Sequence, residues 1–98
     1  MIIEKSMEDN VLTVKLSGRL DTITAKELDA ELTEILKDAD KLIFDLEELE
    51  YMSSAGLRVF IATQKYMSQK GGMKVISVND VTAEIFDITG FSKILDIE

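Results

Sequence analysis

Two hydrophobic periods follow one another along this chain in an order that few folds can satisfy. Val11-Leu12-Thr13-Val14-Lys15-Leu16 alternates apolar and polar or β-branched residues and stops at Ser17-Gly18, the pattern of a half-buried strand. Leu28, Leu32, Ile35, Leu36 and Ala39 then recur at helical spacing. Lys41-Leu42-Ile43-Phe44-Asp45-Leu46 is a short apolar run, read as a strand buried on both faces. A second helical stripe, Leu57, Phe60, Ile61, Gln64 and Met67, closes at Gly71-Gly72. Lys74-Val75-Ile76-Ser77-Val78 is another strand, and Val81, Ile85 and Ile88 mark a third helix stopped by Gly90. Strands that alternate with helical stripes predict βαβ units with right-handed crossovers.

At the N-terminus, Ile2-Ile3 and the run from Val11 flank Glu8-Asp9-Asn10, which predicts an antiparallel hairpin and so a mixed sheet. Ile94-Leu95-Asp96-Ile97 is a short final strand, while Glu47 to Met52 is read as a loop. Thr24-Ala25-Lys26-Glu27 has the spacing of a capping box, with Ile23 and Leu28 at staple positions. The first helix is therefore placed from about 24 to 38. Ser53-Ser54 opens the second helix and Asn79-Asp80 the third. Met52, Met67 and Met73 are assigned to the core. The expected architecture is one α/β domain over residues 1–98, with four to five strands and three to four helices.

Composition narrows the chemistry. The chain has no cysteine and no histidine, which removes disulfides, thiolate sites and the usual general base. A nucleophilic serine then lacks its normal partner, and no cofactor is expected. Gly71-Gly72 is not followed by the Lys-Ser/Thr of a phosphate loop. The net charge of −8 opposes nucleic acid and anionic membrane surfaces. Residues 1–50 hold 14 acidic and 6 basic side chains, and residues 51–98 hold 5 of each. Acidic, solvated helix faces in the first half account for this asymmetry most simply, and a neutral second-half surface that meets a partner is the alternative reading. No stretch has the length of a membrane span and the first residues lack a signal-peptide pattern, so a cytoplasmic location is expected.

Two sites emerge from the residues themselves. Asp45, at a strand end, has the placement of a phosphoacceptor in a magnesium-dependent receiver, although the first parallel strand ends Ser17-Gly18 without the further acids such a site needs; a turn hydrogen bond is its simpler role. Ser53-Ser54-Ala55-Gly56 places two hydroxyls at a helix N-terminus, where Ser serves as a cap and where a phosphate is tolerated. Arg58, four residues after Ser54, lies within reach of it on the helix surface.

Those same residues carry a resemblance. Tyr51-Met52-Ser53-Ser54-Ala55-Gly56-Leu57 resembles the phosphorylation motif of STAS domains, in particular of bacterial anti-sigma factor antagonists. Ser17-Gly18-Arg19-Leu20-Asp21-Thr22 is similar to the family segment before its first helix, and Leu42 to Leu46 to its central strand. Gly71 to Val75 and Ile85 to Phe91 are similar to its last third. The Gly56-Leu57 register places the family phosphoacceptor at Ser54, with Ser53 where the family usually has Asp and as an alternative acceptor. The resemblance implies that the unmodified protein binds an anti-sigma factor that is also a serine kinase, freeing a sigma factor. Phosphorylation of Ser54 would end the complex and a phosphatase would restore it. The implied binding surface comprises the helix start, Ser53, Ser54, Ala55 and Gly56, and the Asp21-Thr22 loop, with Arg58 beside it. STAS domains also serve as non-catalytic adaptors in scaffolds and lipid-transport complexes, which is the alternative reading.

Overall fold

A computed structural model describes residues 1–98. The elements run β1 (Ile2–Glu8), β2 (Val11–Leu20), α1 (Thr22–Ile35), β3 (Lys41–Asp45), β4 (Leu49–Met52), α2 (Ser54–Met67), β5 (Met73–Ile76), α3 (Asp80–Thr89) and β6 (Asp96–Ile97). Short 3₁₀ turns at Leu36–Asp38 and Phe91–Lys93 follow α1 and α3. β1 and β2 form the expected hairpin, in register from Ile2↔Ser17 to Glu8↔Val11. Asp9 and Asn10 both have positive φ, 52° and 65°, as the tight turn joining two strongly twisted strands requires. The sheet order is β1-β2-β3-β5-β6, parallel from β2 onward.

The sheet has six strands rather than four or five. The additional one is β4, whose residues were expected to form a loop; it runs parallel to the last part of β2, Leu20 pairing with Met52. Gly18, at φ +100°, sits at the register shift that lets β2 leave β3 and meet β4, a conformation open mainly to glycine. Leu49 and Met52 face the core while Glu50 and Tyr51 face outward.

Burial along β2 and β3 alternates, with Leu12, Val14, Leu16, Leu42 and Phe44 inside. The helices therefore cover one face of the sheet. Ile43 remains half exposed, so β3 is not buried on both faces as expected: no helix crosses to the other side. That open face alternates charge across the strands, Glu4↔Lys15↔Asp45. On the covered face, Phe44 of β3 stacks on Phe60 of α2 at 4.3 Å, and Phe60 tilts against Phe86 of α3 at 6.5 Å. This column ties three elements together. The three methionines assigned to the core, Met52, Met67 and Met73, are all buried.

Expectations for α3 and α1 need correction. Val81 and Ile88 are 52% and 77% exposed; the buried face of α3 is Thr82 and Phe86, because the Phe86 ring fills the space beside Phe60. Asn79 caps α3 as expected, its side chain accepting from the Thr82 amide. Its Nδ2 also donates to the Leu46, Glu47 and Leu49 carbonyls, which pins the turn leading into β4. The cap of α1 is Asp21, not Thr24, and Ile23 is 72% exposed and staples nothing. The final strand is confined to Asp96–Ile97, Ile94 being exposed.

Candidate functional site

Parallel pairing of β2 and β4 decides where the two hydroxyls go. The strands end together at Leu20 and Met52, and the Ser53 amide donates to the Leu20 carbonyl at 2.8 Å. The chain leaves both strands directly into helices, so α1 and α2 begin side by side at one end of the sheet. Each helix start leaves unpaired amide donors pointing outward.

In α2, Ser53 and Ser54 have different jobs. Ser53 is the N-cap, half buried, with its Oγ accepting from the Gly56 amide at 3.3 Å. Ser54 is the first helical residue, exposed, and its hydroxyl makes no hydrogen bond within the protein. Gly56 sets how closely this turn approaches the sheet. A Cβ there would lie 2.7 Å from two atoms of Leu20 and 3.1 Å from Met52, both fully buried side chains. Alanine would gain about 1 kcal/mol of helix propensity against roughly 1–3 kcal/mol for forcing the packing apart. Gly56→Ala is therefore expected to lower stability by about 1 kcal/mol net, read from urea unfolding; a stabilised variant would show that the turn is free to move.

In α1, one Asp21 carboxylate oxygen accepts from the amides of Ile23 at 3.0 Å and Thr24 at 2.9 Å. Reciprocally, Thr24 Oγ1 accepts from the Asp21 amide at 2.8 Å and donates to the Arg19 carbonyl. The box is real but begins three residues earlier than its sequence pattern suggests. The Thr24 amide is the largest influence on the Asp21 carboxyl; desolvation opposes it, and with the Thr24 hydroxyl, the Ile23 amide and the Arg19 charge added the carboxyl is held below its ordinary range. The folded value lies below the unfolded one, so this contribution is present at neutral pH and is lost as pH falls through the folded value. Melting of the wild type and of Asp21→Asn between about pH 2 and pH 7 should show a wild-type advantage that disappears on the acid side. An advantage that grows on acidification would contradict the assignment.

Asp21, Thr22, Ser53, Ser54 and Ala55 are thus brought to one end, with Thr22 and Ser54 exposed. Gly56 is buried beneath them, and Arg58 lies one turn along α2, exposed and outside every ion pair. Three residues not foreseen join this end. Ile23 projects from α1, and Tyr51 lies beneath the Arg19 guanidinium, 4.4 Å from the ring centroid. That pair depends on the Arg19↔Tyr51 register, which a loop over residues 47–52 would not supply. Asp45 accepts the Glu47 amide at 3.1 Å, its turn role, and no three carboxylates converge on a common point. None of the four principal cavities reaches Ser53 or Ser54.

The STAS-domain family model matches residues 3–98. The chain belongs to the STAS family. The anti-sigma-B factor antagonist of Staphylococcus aureus is 33% identical over 97 residues, covering 97% of this chain and 90% of that protein. Among solved structures, an anti-sigma factor antagonist from Mycobacterium paratuberculosis matches with a TM-score of 0.88 at 26% identity, over 98% of this chain and 83% of that one. The Bacillus cell fate determinant SpoIIAA in its phosphorylated form matches with a TM-score of 0.76 over 99% of this chain and 91% of that one, at 15% identity; that likeness is one of fold. No helix of this STAS domain is long and apolar enough to cross a membrane.

Proposed function

We propose that this STAS domain is an anti-sigma factor antagonist switched at Ser54. The unmodified protein docks on an anti-sigma factor that is also a serine kinase, through the end where α1 and α2 begin, and the sigma factor is released. The observation that carries the reading is the exposed, unbonded Ser54 hydroxyl on the first residue of α2. Ser53 is the weaker acceptor, since its oxygen is engaged in holding the helix start. The kinase transfers the γ-phosphoryl group of ATP to Ser54 Oγ, ADP leaves, and the hydroxyl proton passes to a base of the kinase. ATP and magnesium belong to the kinase, and this chain contributes no catalytic group.

The physical logic favours an all-or-none effect on docking with little effect on the fold. A phosphoserine carries about −1.5 to −2 charges at neutral pH. At an exposed helix N-terminus the dipole favours such a charge by about 0.3–1 kcal/mol. Under a docked partner the same group has to be desolvated and accommodated, which costs far more. A phosphoserine phosphatase returns the protein to its binding form.

The test is titration of the kinase-type anti-sigma factor with wild type and Ser54→Asp. The charged variant should bind at least about tenfold more weakly, equivalent to about 1.4 kcal/mol. Equal affinities would remove Ser54 from the docking face. Recovery of scaffold or transporter subunits, with no kinase, in a pull-down would favour the adaptor reading instead.

A further inference from the structure

The chain has only two arginines, Arg19 and Arg58. Arg19 lies over the Tyr51 ring. Arg58 is exposed and takes part in no ion pair and no cation–π contact. It follows Ser54 by four residues within α2. Residues at this spacing stand one above the other, about 5–6 Å apart at Cβ. Helical side chains lean toward the N-terminus, so a long residue covers the turn before its own. The Arg58 side chain therefore overlies the turn that Ser54 begins. No acidic residue stands in the first turn of α2 to compete for it. A planar guanidinium can meet two phosphate oxygens at once, which a lysine cannot.

We propose that Arg58 is the intramolecular clamp for the phosphate on Ser54. In the unmodified protein its cation is free on the docking face. Once Ser54 is phosphorylated, the guanidinium pairs with the phosphate oxygens and that free cation is withdrawn. The modification thus changes the docking face at two points instead of one. This inference rests on Ser54 as the acceptor and adds the residue that reads the phosphate.

Its test does not need the kinase. Phosphoserine is installed at position 54 during translation, and the phosphate is titrated by phosphorus NMR in wild type, Arg58→Gln and Arg58→Lys. The second ionisation of free phosphoserine lies near about 6. In the wild type it should fall below that value, and in Arg58→Gln it should rise back by about 0.5 unit or more. Arg58→Lys, which keeps the charge and loses the fork, should fall between. Identical titration of wild type and Arg58→Gln would overturn the clamp, while leaving phosphorylation of Ser54 by a kinase to be judged from labelling alone.

Discussion

Ser54→Ala is expected to abolish phosphate uptake from a cognate kinase and ATP, while Ser53→Ala should continue to accept one phosphate and lose stability. The two hydroxyls are adjacent in sequence but differ in employment. Ser54 Oγ is exposed and unengaged, so its removal takes nothing from the fold. Ser53 Oγ accepts the Gly56 amide, and loss of a serine cap costs about 0.5–2 kcal/mol. Intact-mass measurement should give no added phosphate on Ser54→Ala, and one on Ser53→Ala. Denaturation should place Ser53→Ala about 1 kcal/mol below Ser54→Ala. Labelling that persists in Ser54→Ala and vanishes in Ser53→Ala would exchange the roles.

The largest effect on stability is expected at Phe60. Its ring is fully buried, stacked on Phe44 with an interplanar angle of 14° and tilted against Phe86. Truncation to alanine removes the middle of a column that joins β3, α2 and α3. Phe→Ala in a core costs about 3–5 kcal/mol, a large part of the roughly 5–15 kcal/mol available to a domain. Phe60→Leu retains much of the volume and should lose less than half as much. Urea unfolding of the pair checks this. A loss under about 1 kcal/mol for Phe60→Ala would mean that the neighbouring helices collapse into the space.

How far the residues alone led depended on whether local chemistry or distant packing decided each feature. The hairpin turn, the Ser53 and Asn79 caps and the termination of α3 at Gly90 are local, and the structure agrees with them. β4 was missed because Glu47, Glu48 and Glu50 give its neighbourhood the look of a solvated loop. Only pairing with β2 beyond the Gly18 shift makes it a strand. The start of α1 was misplaced because two overlapping cap patterns were present, and the one beginning at Asp21 has both amides and the Thr24 hydroxyl on its side. On α3, the aliphatic stripe of Val81, Ile85 and Ile88 lost to Phe86, whose ring already had a place beside Phe60. For the site, Ser54, Asp21 and Arg58 could be singled out early. Their division into unengaged hydroxyl, cap and free cation required the structure, as did the exposed Ile23 and the Arg19–Tyr51 pair.

The docking switch is tested most directly by calorimetric titration of the anti-sigma factor with unmodified protein and with protein fully phosphorylated at Ser54, the two shown to have the same circular dichroism spectrum and unfolding midpoint. Tight binding of the first and loss of at least two orders of magnitude in affinity for the second is the expected result, about 2.7 kcal/mol or more. Equal affinity of the two forms, or a loss of binding that merely tracks unfolding of the phosphorylated chain, would contradict it.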